Sequence, residues 1–417
     1  MPMSEDFKSR LEERLGRIIN YFGTPFHIYD EKGIRETGEK LKRVFSSLDF
    51  REYYAVKANP NPHILKIMQK LGFGFDCSSV PELRLAEMVG ALEHDIMFTS
   101  NNTTIYEFEE ALTKGCVINL DDTTMTSKLP HVPKLICFRY NPGARRTGNT
   151  IIGNPLEAKY GVGHKKIIEA YEEAIHYGAE HFGLHTMVCS NERNYEYMVE
   201  TVNMLFSIAE MISEKLGISF DFINMGGGLG VPYKPEDAPL DLEKMATEII
   251  NLFSSFHKKN GYMPKLFMES GRYMTGPHGV LVTTVINRMS KYREYVGVDA
   301  SMSALMRPGM YNAYHHITVP GKDHFLNSEI VDVVGSLCEN NDKFAVQRKL
   351  PKLCENDVLI IHDTGAHGHT MGFNYNGRLK PKELLLCKDG SVKLIRREET
   401  TEDHLATLYF EENKLQF

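Results

Sequence analysis

A lysine stands inside an apolar, aromatic-led run at residues 53–62, YYAVKANPNP, and two prolines follow it. Lysine is rarely buried in full unless its charge is paired or its amine is used chemically. A desolvated lysine amine is a nucleophile that forms Schiff bases with aldehydes. Lys57 is therefore a candidate for covalent chemistry. The alternative is a lysine whose apolar stem is buried while its ammonium group stays in water.

Two other stretches carry groups that would complement such a lysine. The sequence MGGGLG, residues 225–230, follows an apolar run, and consecutive glycines expose backbone N–H groups that can bind a phosphate. A tight turn would also need glycines, so this cluster alone is weak evidence. Glu269, in KLFMES, can keep a ring nitrogen protonated, or it can simply form a salt bridge with Arg272. A lysine, a phosphate site and a carboxylate together are what pyridoxal phosphate (PLP) needs to act as an electron sink.

Short apolar runs alternate with helical patterns along the first two thirds of the chain. The runs are REYYAVKA (51–58), FGFDCSS (73–79), IMFTSN (96–101), CVINLDD (116–122), KLICFRYN (134–141), FGLHTMV (182–188), FDFINMGGG (220–228) and KLFMES (265–270). Regular alternation predicts parallel strands covered by helices. Eight such units predict an α/β fold, a (β/α)8 barrel of the TIM type, in which the active site forms at the C-terminal ends of the strands.

The polar residues fall where such a barrel would gather them. The predicted strand ends carry Lys57, Asp76, Asn101, Arg139, His185, Met187, Gly226, Gly227, Gly228 and Glu269. Because the C-terminal ends of all the strands meet at one rim, these residues predict a single site there.

The pattern changes in the last third of the chain. The segments GVLVTTVINRMS, REYVGVDAS, HITVP, EIVDVVGSLC, DVLIIHDTG and ELLLCKDGSVKLIRRE look like strands with few helices between them. This favours a second, mainly antiparallel β-domain. The strand-like segment YFGTPFHIYD precedes the barrel, and we expect it to pair with that domain. We therefore expect a PLP-binding barrel at 36–280 and a discontinuous β-domain at 1–35 and 281–417.

Composition limits the partners. The net charge is −7, from 48 Lys and Arg against 55 Asp and Glu, and no long basic run is present. This argues against nucleic acid or an anionic membrane as a partner, because both require clustered positive charge.

The seven cysteines are scattered without a C-x-x-C pair, which is typical of reduced thiols in an intracellular protein rather than of disulfides or a metal site. No apolar run approaches the ~20 residues that span a bilayer, and the charged N-terminus does not resemble a signal peptide, so we expect a cytoplasmic protein.

A series of motifs, taken in order, resembles a known family. The motifs are YYAVKANPNPHILK, FDCSSVPELRLA, RYNPG with AKYGV, NMGGGLGVPY, ESGR, VDASMSALMRPGMYNAYH, GSLCENND and GAHGHTMGFNYNGRLKPKELL. They are similar to those of the fold-type III, PLP-dependent basic amino-acid decarboxylases, and within that family they most resemble the diaminopimelate decarboxylases. The resemblance covers nearly the whole chain, and it implies an alanine racemase-like combination of a PLP-binding barrel and a β-domain.

The resemblance implies a set of cofactor contacts. Lys57 would bind PLP covalently, and Glu269 would pair with the pyridinium nitrogen. The phosphate would be held by Ser190, Gly227, Gly228 and the backbone of Gly271 and Arg272. Asp76, His185 and Tyr375 would complete the cofactor site.

The resemblance also implies that two subunits of a homodimer share each active site. Cys338 and Glu339 would come from the partner subunit, and Cys338 would be the acid/base thiol near the carbon that loses CO2. An ordinary buried cysteine is the alternative for Cys338. The distal amino acid group of the substrate would be bound by Arg272, Arg307, Tyr311, Glu339 and Tyr375. An arginine fork with tyrosine hydroxyls suits a carboxylate.

The sequence departs from the family pattern at several positions. Met187 stands where the family usually has a histidine stacked on the PLP ring, and Cys189 replaces the glycine before the phosphate-binding serine. His367 replaces the aromatic residue of GAY, ESGR replaces the common EPGR, and Asn340 stands where a small hydroxyl residue is usual. A thioether can contact a ring face, but it supplies no charge or proton. Either His185 reaches over the ring, or this branch uses the methionine, or catalysis has been lost.

The leading interpretation is decarboxylation of meso-2,6-diaminopimelate to L-lysine and CO2, the last step of lysine biosynthesis. A first alternative keeps the chemistry and changes the small-molecule substrate to carboxynorspermidine, ornithine or another basic amino acid. A second alternative is a catalytically silent homologue that binds PLP, or a partner protein, and regulates. The retention of Lys57, Glu269 and Cys338 argues against the silent homologue.

Overall fold

The structure, a computed structural model, describes residues 3–149, 151–322 and 327–409, and the remaining parts of the expected ranges 1–35 and 281–417 lie outside these residues. The helices are α1 Glu5–Phe22, α2 Glu31–Val44, α3 Pro62–Lys70, α4 Val80–Met88, α5 Ile105–Thr113, α6 Ile167–His176, α7 Tyr195–Leu216, α8 Leu242–Asn260, α9 Gly271–Thr275, α10 Arg307–Tyr311 and α11 Thr401–Leu405. The strands are β1 Phe26–Asp30, β2 Phe50–Ala55, β3 Gly74–Cys77, β4 Ile96–Phe98, β5 Val117–Leu120, β6 Leu135–Asn141, β7 Val162–Gly163, β8 His181–Thr186, β9 Phe222–Asn224, β10 Lys265–Met268, β11 Gly279–Ser290, β12 Glu294–Val298, β13 Ile317–Thr318, β14 Ser328–Val334, β15 Lys343–Pro351, β16 Val358–Ile361, β17 Lys382–Leu386 and β18 Val392–Arg396. These elements form two compact units, which are Glu31–Pro277 and, second, Met3–Asp30 together with the described residues from His278 onward.

The first unit is a closed barrel of parallel strands. Its strands pair in the order β5-β4-β3-β2-β10-β9-β8-β6, and a further pairing between β5 and β6 closes the ring. Helices follow the strands along the chain, as α3 follows β2 and α4 follows β3. The prediction of a TIM-type (β/α)8 barrel is therefore confirmed.

The barrel interior has an apolar floor beneath a polar layer. The floor is a buried cluster formed by Tyr53, Met97, Val117, Cys137, Phe222 and Phe267. Side chains two residues apart on a strand point to the same side. The residues two positions after four of these floor residues are Asn119, Arg139, Asn224 and Glu269. Alternation along the strands therefore places polar side chains directly above the floor, toward the C-terminal ends of the strands.

The second unit is built on a mixed sheet. The strand order is β15-β14-β12-β11-β1-β17-β18, with β16 pairing both β11 and β13. Most pairings are antiparallel, while β1 with β17 and β12 with β14 are parallel. The fold-class prediction of a second, mainly antiparallel β-domain is confirmed. Strand β1 lies inside this sheet, between β11 and β17.

Helix α1 covers one face of that sheet with an apolar stripe. Phe7, Leu11, Leu15 and Ile18 recur at the spacing of one helix face, and all four are buried in a cluster with residues of β1 and β11. Ser4 caps the helix, because its side chain accepts a hydrogen bond from the Phe7 N–H. The stripe explains why this N-terminal segment folds with strands that come much later in the chain.

None of the described helices is both long and apolar enough to cross a bilayer.

Candidate active site

Lys57 lies just past the end of β2, in a single helical turn of residues Val56–Ala58. Both neighbours are buried, whereas 55% of the lysine side chain is exposed, so the turn directs the amine toward the open end of the barrel. Its Nζ is 3.2 Å from Oδ2 of Asp76, which is buried on β3. The Asp76 carboxylate raises the pKa of Lys57 above its ordinary value, although burial acts to lower it. The amine is thus charged and is held by the Asp76 carboxylate.

Glu269 lies at the centre of a buried polar network directly after β10. Its Oε2 is 3.1 Å from Nε2 of His185, and its Oε1 accepts a hydrogen bond of 2.8 Å from Nδ2 of Asn224. Burial alone would raise the pKa of Glu269, but His185, Lys57 and the Asn224 hydrogen bond lower it to about 2. Glu269 is therefore an anionic carboxylate at neutral pH. Each of its oxygens retains capacity for a further donor, because a carboxylate oxygen accepts about two hydrogen bonds.

The glycine turn follows β9 and needs glycine for two different reasons. Gly226 and Gly228 have φ values of 71° and 101°, in the left-handed region that favours glycine. Gly227 is restricted by space instead, because an added Cβ would lie 2.4 Å from the carbonyl oxygen of Glu269. The turn therefore passes directly beside the Glu269 backbone.

The segment after β8 packs against this turn. The thioether of Met187 lies against Gly226 and Gly227, and Cys189 lies against Gly228. The backbone of Ser190 is held by Asn149, whose Nδ2 donates to the Ser190 carbonyl at 2.7 Å and whose Oδ1 accepts from the Ser190 N–H. The structure thus places the glycine turn beside Met187, which replaces the usual histidine, and beside Cys189, which precedes Ser190.

Arg272 does not pair with Glu269, which was the simple alternative for that carboxylate. Its Nη1 donates to the Tyr233 hydroxyl at 2.5 Å within the barrel unit. Gly271, the first residue of α9, packs so closely that an added Cβ would lie 2.7 Å from the Cβ of Ala58. The residues Gly271 and Arg272 therefore sit beside the turn that carries Lys57.

The second unit holds the other expected residues. Arg307 begins α10, where it is buried, and its Nη1 is 3.2 Å from Nε2 of His315. The Nδ1 of His315 donates to the His362 carbonyl at 2.7 Å, so Nε2 is the acceptor for the arginine. Tyr311 ends the same helix and is exposed. Arg307 is therefore held in one orientation by a fixed histidine.

The loop of residues 338–342 lies next to α10. An added Cβ on Gly309 would lie 2.3 Å from the Asn341 carbonyl. Asp342 holds the loop, because its two carboxylate oxygens accept from the N–H groups of Met302 and Leu337. Cys338 is exposed, so the alternative of an ordinary buried cysteine is wrong.

The loop of residues 338–342 also contacts the segment that contains Tyr375, another predicted site residue. The Cys338 N–H donates to Oδ1 of Asn376, the residue after Tyr375, at 2.7 Å. Oε1 of Glu339 accepts from the Asn341 N–H. Tyr375 itself is exposed. The predicted residues of the second unit thus fall on elements that touch each other.

Several residues of these networks were missed by the sequence analysis. Asn224 precedes the glycine turn in FINMGGG and could have been found from its position at a strand end. No such signal marked Asn149, His315 or Asp342, because each of them forms hydrogen bonds with residues elsewhere in the chain. Glu52, a buried glutamate on β2, was also missed.

The barrel end is suited to PLP on its own geometry. Asp76 Oδ1, His185 Nδ1 and Arg139 Nε are buried and have no hydrogen-bond partner among the described residues. Buried polar atoms are nearly always bonded, so these atoms indicate a polar ligand at this end of the barrel. A lysine amine, an anionic carboxylate and a glycine turn stand around the same place. PLP requires groups of these types: an amine for its aldehyde, a carboxylate for its ring nitrogen and backbone N–H groups for its phosphate.

Comparison with known proteins agrees with this fit. Residues 32–276 match the profile of the family described as pyridoxal-dependent decarboxylase, pyridoxal binding domain. The fold and the site thus define a PLP-dependent decarboxylase of the barrel class, and the chain belongs to this family. The expected family and the expected cofactor are therefore confirmed.

Individual relatives and a solved structure show the extent of the similarity. The chain is 46% identical over 411 residues to Protein TabA of Pseudomonas amygdali pv. tabaci, covering 99% of this chain and 97% of that protein. It is 37% identical to a diaminopimelate decarboxylase of Methanothermobacter thermautotrophicus, covering 93% of this chain and 92% of the relative. Among solved structures, diaminopimelate decarboxylase from M. jannaschii, in complex with L-lysine, superposes with a TM-score of 0.88 at 28% identity, covering 96% of this chain and 95% of that chain.

Proposed function

We propose that this decarboxylase acts on meso-2,6-diaminopimelate and releases CO2 to give L-lysine. The observation that carries the proposal is the buried, histidine-held guanidinium of Arg307 in the second unit. A fixed arginine binds a carboxylate through two parallel hydrogen bonds, and diaminopimelate has a second carboxylate at its far end. Ornithine and lysine lack that group. Similarity along nearly the whole chain to proteins named diaminopimelate decarboxylase supports the same assignment.

The barrel residues would bind and orient the cofactor. Lys57 would supply the amine for the PLP aldehyde, the glycine turn with Ser190 would receive the phosphate, and Glu269 would keep a proton on the ring nitrogen. The low pKa of Glu269 supports this last role, because only an anionic carboxylate stabilises a protonated pyridine. When bound, PLP accepts the electron pair that the departing CO2 leaves on the substrate carbon.

Protonation of the substrate carbon would fall to Cys338. We infer from the family resemblance that Cys338 and Glu339 serve the barrel site of a second subunit in a homodimer. The exposed position of Cys338 supports this role, because an acid that acts on substrate must be accessible. The Asn376 hydrogen bond to the backbone of Cys338 would hold the thiol in place.

A second candidate keeps the chemistry and changes the substrate. The chain shares a larger fraction of residues with Protein TabA than with the diaminopimelate decarboxylase cited above. The methionine at 187, in place of the usual histidine, also alters the surroundings of the cofactor. Carboxynorspermidine, ornithine or another basic amino acid would then be the substrate.

The test is CO2 release by the PLP-loaded protein with meso-diaminopimelate, L-ornithine, L-lysine and carboxynorspermidine in parallel. We expect turnover of meso-diaminopimelate, and L-lysine as the second product by chromatography. Turnover of another amine alone would reassign the substrate. No turnover of any compound, with PLP still bound, would contradict the proposal and favour a silent homologue.

A further inference from the structure

Glu52 is a buried carboxyl group that none of the chemistry above uses. It lies on β2, and its side chain is fully buried. The next residue, Tyr53, points into the apolar floor of the barrel. Alternation along the strand therefore turns Glu52 to the other side, toward the surrounding helices. A carboxyl group in such a layer is costly unless it is bonded, so its presence requires a reason.

The partner of Glu52 is the backbone that follows Glu269. The Ser270 N–H donates a hydrogen bond to Oε1 of Glu52, whereas Oε2 is buried and has no partner among the described residues. In the parallel pairing of β2 with β10, Glu52 stands opposite Met268. Glu52 thus sits alongside the segment that carries Glu269, and Ser270 is the cap residue of α9.

This contact depends on the departure from the common EPGR motif. Proline has no N–H, so a proline at position 270 could not donate to Glu52. Ser270 supplies the donor and Glu52 supplies the acceptor. Ser270 has φ −84°, close to the value of about −65° that proline requires, so the backbone there would accept a proline with little strain.

We propose that Glu52 is a positioning residue: its carboxyl group fixes the Ser270 backbone and thereby orients Gly271 and Arg272 toward the cofactor phosphate. The inference rests on the assignment of the phosphate to these two residues in the proposed function. It is independent of the substrate, because it concerns cofactor binding alone.

The charge of Glu52 is part of this role. Burial raises the pKa of Glu52 to about 8, the N–H and the hydroxyl group of Ser270 act in the opposite direction, and the carboxylates of Glu269 and Asp76 raise it further. On the same face of β2, Tyr54 is also buried, its pKa is raised by burial, and it remains uncharged. Glu52 is therefore a neutral acid at neutral pH. Ionisation at alkaline pH would add a negative charge behind the backbone that receives the phosphate, which would weaken PLP binding.

A double-mutant cycle tests the hydrogen bond between Glu52 and Ser270. It consists of Glu52→Met, Ser270→Pro and the double variant. Each single variant leaves a buried donor or acceptor without its partner, so we expect the PLP dissociation constant to rise about tenfold or more. The double variant removes both groups and should recover to within about threefold of the wild type. The dissociation constant is measured from the visible absorbance of bound PLP on dilution of the holoenzyme. If the double variant loses as much PLP-binding free energy as the two single variants together, the proposal is overturned.

Glu52→Gln separates positioning from a purely structural role. Glutamine keeps the acceptor and cannot ionise, so it should bind PLP as the wild type does at neutral pH. The wild type should lose affinity between about pH 7 and 9, and its bound-phosphate 31P signal should titrate with the pKa of Glu52, while the variant shows neither change. Identical pH profiles for both proteins would overturn the proposal. So would variants that lower the free energy of unfolding with an unchanged PLP dissociation constant.

Discussion

The two units hold their predicted site residues in different ways. In the barrel unit, Glu269 and His185 are buried and bonded to each other, and Asp76 is buried against Lys57. In the second unit, Cys338 and Tyr311 are exposed and depend on a short helix and a loop for their positions. This difference supports our proposal that residues of the barrel unit hold most of the cofactor, whereas the exposed groups of the second unit act on the substrate. Arg307 differs from these two predicted site residues, since it is buried and bonded to His315.

The substitution Lys57→Ala is expected to have the largest effect on the cofactor site of the barrel unit. Without the amine the protein cannot bind PLP covalently, so the visible absorbance of the bound cofactor should disappear and turnover should be lost. Absorbance spectra of the PLP-loaded protein measure this directly. Lys70→Ala, an exposed lysine of α3, is the matched control and should leave both unchanged. Retained absorbance in Lys57→Ala would remove Lys57 from the site.

The substitution Cys338→Ala tests the proposed role of the exposed thiol in the second unit. Loss of a general acid lowers kcat by about 100-fold or more, while PLP absorbance should remain because the thiol does not hold the cofactor. Steady-state kinetics and absorbance are measured on the same preparation. Cys354→Ala removes the other exposed thiol of the described residues and should keep full activity. An unchanged kcat in Cys338→Ala would contradict the assigned role.

Acid pH should weaken the second unit through its buried histidines. Burial lowers the pKa of His27 to about 4, so this ring is neutral in the folded state. The unfolded chain takes up a proton below about pH 6.5, and stability is therefore present above that pH and lost as the pH falls toward 4. The loss from His27 should reach about 3 kcal/mol. Urea unfolding at several pH values should give a flatter profile for His27→Gln than for the wild type or for the exposed-site control His404→Gln, and equal slopes would contradict the account.

The smallest effect is expected at Met187. A thioether against an aromatic ring contributes about 0.3–1.5 kcal/mol, so Met187→Ala should raise the PLP dissociation constant by at most about tenfold. Met263→Ala, an exposed methionine of the barrel unit, should change nothing. A loss of PLP binding as large as that of Lys57→Ala would mean that Met187 does more than cover a ring face.

The barrel could be predicted because its signals are local. Apolar runs, glycine-ended helices and polar residues at strand ends each occupy a few consecutive residues, and the eight-strand ring follows from their order. Strand ends were less accurate: FDFINMGGG was expected to be one strand, but β9 ends at Asn224 because Gly226 adopts a left-handed φ. The second β-domain was also found from local runs.

The supporting contacts could not be predicted. Glu52 and Ser270 are 218 residues apart, and Asn149 and Ser190 are 41 apart. A hydrogen bond between distant residues leaves no periodic pattern in either segment. The site residues expected from the sequence gather at the barrel end and on one part of the second unit, and their roles remain predictions.

The most direct test of the division of labour compares the wild type with Arg307→Met, with meso-diaminopimelate as substrate. The account predicts unchanged PLP absorbance and a kcat/KM lower by about 100-fold, mainly through a higher KM, because a buried charged contact to the distal carboxylate is lost. Arg293→Met, a partly exposed arginine of the same unit, should behave as the wild type. An unchanged kcat/KM in Arg307→Met, or loss of PLP from that variant, would contradict the claim that the second unit selects the substrate while the barrel unit holds the cofactor.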